Sequence, residues 1–200
     1  MPAFPRLDTS KEDDEAAPPP LPGEVRETLF KSRTVLIFGE ITMALAQAAS
    51  AQLLALAEHS HDPIRIFINS PGGHVESGDT IHDVIRFIEP EVKTIGTGWV
   101  ASAGALIFVA AEKKNRFALP NTRFLLHQPL GRMSGPASDI EIEAVQIMAV
   151  RERVNRIFAE ATGQPYEKIV RETERNLWMT SSEAREYGLV ERVVERASET

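Results

Sequence analysis

The chain has 200 residues, 22 basic against 29 acidic, a net charge of −7 and 42% hydrophobic content. That is enough apolar material for one folded domain, and the charge is wrong for a sequence-independent nucleic-acid binder or a polybasic membrane anchor. There is no cysteine, so disulfides, thiolate catalysis and cysteine-ligated metal centres are excluded.

Residues 1–28 hold six of the thirteen prolines, the run Lys11-Glu12-Asp13-Asp14-Glu15 and −4 of the net charge. Such a stretch buries too little apolar surface to offset its ordering entropy, and it reads as a mobile arm ahead of a domain over 29–196. A proline-rich docking segment for a partner is the alternative. No apolar run approaches the ~18 residues of a membrane span. The N-terminus has no basic-then-apolar signal pattern, so the expectation is a cytoplasmic protein.

From residue 34 strand and helix patterns alternate. The apolar run 34–39 predicts a buried strand, the alanine- and leucine-rich stretch 43–58 a helix, and 64–69 a second strand. Ile81, Val84, Ile85 and Ile88 fall at helical spacing within 78–88. Strands are expected at 92–96, 116–119, 123–127 and 189–194, and helices at 102–111 and 182–187. This alternation predicts an α/β fold built on a parallel sheet. The segment 137–162 reads as a helix opened by a Ser138-x-x-Glu141 capping box and closed by Gly163. At ~1.5 Å per residue it is ~36–39 Å long. That is long against the ~16–17 Å radius of gyration of a compact chain this size, so it crosses the domain or projects from it.

Three loops carry candidate chemistry. In Asn69-Ser70-Pro71-Gly72-Gly73 two glycines let backbone N–H groups approach a bound anion or oxyanion, though a plain tight turn reads the same way. It is not a phosphate-binding P-loop, because no Gly-Lys-Ser/Thr follows. In Gly98-Trp-Val-Ala-Ser102-Ala103-Gly104, small neighbours leave a serine hydroxyl accessible where unpaired N–H donors open a helix; an N-cap serine is the plainer alternative. His127 ends the apolar run Arg123-Phe-Leu-Leu-His127, as a base or as a core histidine. His59 and His61 read as surface residues, His82 as exposed, and His74 as a possible lining of a cleft. His59-x-His61 has no third ligand at suitable spacing, so no metal is expected.

Together, FINSPGGHVESG, GWVASAGALIFVAA, RFALPNTRFLLHQPLG, DIEIEA, ATGQ and SSEAREYGLVERV resemble the proteolytic subunit of the Clp protease, ClpP, in the ClpP/crotonase superfamily. The resemblance spans residues ~29–195. It implies a fold of repeated ββα units with a projecting handle helix at 137–162. It also implies a serine endopeptidase with Ser102 as nucleophile, His127 as general base, and the N–H groups of Gly73 and Ala103 as oxyanion hole. No cofactor is implied. The implied partners are further copies in two stacked seven-membered rings, an AAA+ unfoldase of the ClpX or ClpA type, and unfolded polypeptide.

The sequence departs from the family in two places. Counting from His127, the position usually held by aspartate is Asn176, with Glu172 and Glu174 as neighbouring substitutes. Residues 1–28 do not resemble the axial loop that meets the unfoldase. These departures leave a weakly active or regulatory subunit of a mixed ring as an alternative, and a crotonase-type acyl-CoA enzyme as a remoter one.

Overall fold

Apolar β-branched runs form the centre of the sheet. The computed structural model describes residues 21–128 and 135–200. In it β1 (Thr34–Phe38), β2 (Ile64–Ser70) and β3 (Val92–Ala101) lie side by side and parallel. Alternate residues Ile64, Ile66 and Ile68 are fully buried, the period-two pattern of a half-covered sheet. The order continues β1-β2-β3-β4-β7 through β4 (Arg116–Ala118) and β7 (Arg192–Val193).

β3 is five residues longer than its pattern suggested. Gly98, at φ 57°, bends it where the Asn69 amide oxygen accepts the N–H of Trp99 at 3.0 Å. Before the bend β3 pairs with β4; after it, Trp99–Ala101 pair with β5 (Arg123–Leu126). β5 then pairs with β6 (Leu177–Thr180), the one antiparallel pair among the described residues. The expected parallel α/β sheet therefore gains an antiparallel edge.

The helices cover this sheet for local reasons. Thr42 caps α2 (Met43–His59) by accepting the N–H of Leu45, and Ala46, Ala49, Leu53 and Leu56 recur at helical spacing on its buried face. α3 (Val75–Phe87) buries Ile81 and Ile85. It buries His82 as well, which is 9% exposed and not the surface histidine its flanking charges suggested. α4 (Ala103–Phe108) is buried at every residue. Thr180 and Glu183 cap α7 (Ser181–Tyr187) reciprocally.

α5 (Ala137–Thr162) starts after Pro136 without a side-chain cap. The expected Ser138/Glu141 capping box does not form: Ser138 Oγ donates to Asp139 instead, at 3.4 Å. Gly163 closes α5 in the left-handed conformation, as expected. Val154 and Phe158 in its second half join the core, whereas Ile142, Val145 and Met148 in its first half are exposed. The helix is therefore rooted at one end. Arg153 pairs with Asp79 on α3, and Arg116 donates to the Ala161 carbonyl at 2.7 Å. Burial lowers the Arg116 pKa to about 10, so it stays charged at neutral pH.

Two helices fall where the pattern showed none: α1 (Gly23–Lys31) and α6 (Tyr166–Glu172). α1 lies partly inside the 1–28 segment read as a mobile arm, so at least residues 23–28 of that segment are helical. Residues 1–20 lie outside the described residues. No described helix is long and apolar enough to cross a membrane.

Arg33 follows α1 at φ 52° with its side chain buried. It donates to the carbonyls of Leu56, Ser60 and Asp62 at 2.9–3.0 Å, tying the C-terminus of α2 to β1. Replacing a cation that satisfies several carbonyls leaves buried acceptors unpaired. Arg33→Met should therefore destabilise the fold by about 1–3 kcal/mol, read as a lower Tm in thermal unfolding at fixed protein concentration.

Candidate active site

The loops leaving β1, β2 and β3 gather at the carboxyl ends of three parallel strands, where α/β proteins place their ligands. Ser102 sits at the turn from β3 into α4 with φ 53° and ψ −119°. A positive φ is rare and strained for a residue with a side chain. Both of its backbone groups are held: its N–H donates to Leu125 O at 2.9 Å, and its carbonyl accepts Leu106 N–H at 3.1 Å. The side chain is half-buried.

The glycine loop presses against this turn. A Cβ on Gly72 would stand 2.6 Å from Ser102 Cβ and 3.2 Å from Ser102 Oγ, and the φ of 104° is itself open only to glycine. Ile41 holds the loop from the other side. Its N–H donates to Gly72 O, and its carbonyl accepts His74 N–H, each at 2.8 Å. Ser70 Oγ accepts Gly72 N–H at 3.1 Å. These bonds bracket Gly73, whose own N–H has no partner among the described residues. The same is true of Ala103, the first residue of α4. Two free donors thus lie on the loop and the helix start that meet at Ser102.

β5 delivers His127. Leu125 accepts from Ser102, and His127 follows two residues later, half-buried. The β5–β6 register pairs Leu126 with Leu177, so one further step sets His127 opposite Asn176. Gln128 fastens the same junction, its N–H to Thr173 O at 2.9 Å and its Nε2 to Glu174 O at 3.1 Å. Burial lowers the His127 pKa, and hydrogen bonding by Asn176 raises it in part. The pair is close enough for that influence but lacks full hydrogen-bond geometry, as does Ser102 with His127. Such bonds are often long before substrate arrives.

Neither carboxylate considered as a substitute acts on His127. Glu172 accepts the hydroxyl of Tyr187 at 2.8 Å, and Glu174 contributes its backbone carbonyl to Gln128. His74 directly follows Gly73; its ring lies 2.9 Å from Ser77 Oγ and 3.2 Å from Glu76. No three His, Cys, Asp or Glu side chains cluster as metal ligands among the described residues. The sequence reading missed two supports: Ile41, which fixes Gly72, and Asn69, which fixes the bend in β3. An asparagine closing a strand before a serine–glycine loop is the one visible sign of the latter.

Residues 23–197 match the family model described as Clp protease. The chain belongs to the Clp protease family. The proteolytic subunit 3 of the ATP-dependent Clp protease of Rhizobium meliloti (strain 1021) is 61% identical over 180 residues, 90% of this chain and 92% of that protein. The corresponding subunit 2 of Pseudomonas aeruginosa is 55% identical over 171 residues, 86% of this chain and 85% of that one. Solved ClpP1 from Listeria monocytogenes is 54% identical with a TM-score of 0.80, over 88% of this chain and 98% of that one. An asparagine-to-aspartate variant of the same ClpP1 is 56% identical with a TM-score of 0.82, over 87% and 98%. As a Clp protease subunit, the chain is a serine-type endopeptidase.

Two outcomes follow for this Clp protease. Gly72→Ala places a methyl group against Ser102 and should cut fluorophosphonate labelling of Ser102 by at least about tenfold, since displacing a reacting group by ~1 Å costs up to ~10²-fold. Circular dichroism separates this loss from unfolding. In the general-base role that the resemblance implies, His127 acts only when deprotonated, and burial holds its pKa below the usual 6.5. The labelling rate of the parent should therefore rise with pH through a midpoint below that value.

Proposed function

We propose that this chain cuts unfolded polypeptide inside a Clp-type chamber, with Ser102 as nucleophile, His127 as general base and Asn176 as the third member. The observation that carries the reading is that two unpartnered N–H groups, Gly73 on the glycine loop and Ala103 at the start of α4, lie on the two segments that pack together at the strained Ser102 turn. His127 takes the Ser102 proton as Oγ attacks a peptide carbonyl. The oxygen of the tetrahedral intermediate accepts from Gly73 and Ala103. His127 then returns the proton to the leaving amine, and water cleaves the acyl-enzyme by the same route.

The assembly we propose is two stacked seven-membered rings in the cytoplasm, fed by an AAA+ unfoldase of the ClpX or ClpA type. The exposed Ile142, Val145 and Met148 on the outer half of α5 support it, because an apolar face on a projecting helix calls for a partner. The relatives named as ATP-dependent proteases support the ATPase partner. Asn176 favours a second reading, a weakly active subunit of a mixed ring, since an amide orients the imidazole but does not stabilise imidazolium by charge.

Kinetics on four proteins at matched oligomeric state test both readings. Ser102→Ala should abolish peptide hydrolysis and probe labelling while leaving assembly intact; unchanged labelling would remove Ser102 as nucleophile. Asn176→Asp should raise kcat on the order of 10–10³-fold, equivalent to about 1.4–4 kcal/mol. The gain should be larger for amides than for esters, because their poorer leaving group relies more on proton delivery. Asn176→Ala should lower activity. If it matches the parent and Asn176→Asp brings no gain, Asn176 is not the third member.

A further inference from the structure

Trp99, Arg123 and Trp178 come from three strands and meet on the solvent face of the sheet. Trp99 pairs with Arg123 in the parallel β3–β5 register, and Trp178 stands opposite Leu125 in the antiparallel β5–β6 register. The two indole rings are edge-to-face, 5.9 Å between centroids at 85°, an attractive geometry for aromatic quadrupoles. The Arg123 guanidinium lies 4.4 Å from the centroid of Trp178, within cation–π range. Both rings remain accessible, Trp99 at 48% and Trp178 at 37%.

Side chains alternate along a strand, so Trp178 shares its face with Asn176, and Leu125 with His127. The aromatic cluster therefore lies one step along the same face from the His127–Asn176 pair. Among the described residues β6 pairs with β5 alone. On this face its tie to β3, the strand that ends at Ser102, runs through Trp178 and Trp99. Asn176 needs such a tie more than an aspartate would. A carboxylate is drawn to a charged imidazole from many directions, whereas a neutral amide works only through one directional bond. The Asn176 side chain is exposed and acts on His127 by hydrogen bonding, so the strand must aim it.

We propose that Trp99, Arg123 and Trp178 form a clamp that fixes Asn176 against His127, making Trp178 a positioning residue for the general base. This rests on the Ser102–His127–Asn176 reading above. The clamp sets the β5–β6 offset at the site, and the geometry of the base follows from that offset.

Steady-state kinetics of a small peptide substrate across pH test it, using Trp178→Ala, Trp178→Phe, Asn176→Ala and the Trp178→Ala/Asn176→Ala double variant at matched oligomeric state. Trp178→Ala should lower kcat about tenfold with KM little changed, the scale of a small misplacement. It should also move the acid midpoint of kcat/KM further down, because His127 loses the bond that raises its pKa. Trp178→Phe should restore most of both. In the Asn176→Ala background Trp178→Ala should cost nothing more, the non-additivity of coupled residues. The clamp is overturned if Trp178→Ala keeps the parent kcat and midpoint while Asn176→Ala is impaired, or if the two losses multiply in full. An Asn176→Ala protein equal to the parent sinks the site reading instead. If Trp178→Ala fails to assemble, Trp99→Leu at its exposed position replaces it, with the same expected shift and the same overturning result.

Discussion

At the centre of the molecule two backbones come closer than any side chain allows: the Gly72–Gly73 loop and the Ser102 turn, with room between them for hydrogen but not for a methyl group. The rest of the fold serves that approach. β2 and β3 must run parallel and end together, so the loop after one meets the turn after the other. The loop after β1 must reach Ile41 to both sides of Gly73, which leaves that N–H free. α4 must start at Ser102 and sink wholly into the core, so its first N–H points out of the helix rather than into it. The strain in the serine is held by bonds on both of its peptide groups.

The histidine side of the site works by different physics. Burial favours the neutral ring, which suits the general-base role proposed for it. The same burial penalises imidazolium, the form His127 would take in its proposed role, and the neighbouring Asn176 brings no charge to offset the penalty. The site is thus ready to accept a proton and poorly equipped to keep it. On the proposed reading of the site, direction counts for more than charge, and the β5–β6 pairing supplies it.

How much of this the chain revealed depended on where the physics is local. β1, α2 and β2 were legible because apolar runs and helical spacing are written in adjacent residues; Ser102, His127 and Gly73 lay in readable motifs, whereas Asn176 was reached only by counting along the family resemblance. The far half of β3 was hidden because Gly96-Thr97-Gly98 looks like a loop, and only the paired edges of β2 and β5 make it a strand. β6 was hidden because Leu177-Trp-Met-Thr follows a charged run and gains its partner from residues far away. His82 looked exposed beside Asp83, but α3 packs against both α2 and α4 and buries two faces. The Ser138 capping box failed because Pro136 already starts the helix. For β3, β6 and His82 the deciding contact was tertiary.

The contact between Gln128 and Glu174 spans 46 residues of chain. During synthesis Ser102 and His127 emerge first, while α5, α6 and β6 are still to come. Closing so long an interval carries an entropic cost that local helices do not face, and distant strand pairings form late. His127 therefore meets Asn176, its proposed partner, only once the chain has grown past β6. The nascent polypeptide thus carries Ser102 and His127 before the β5–β6 pairing has brought residue 176 opposite the histidine.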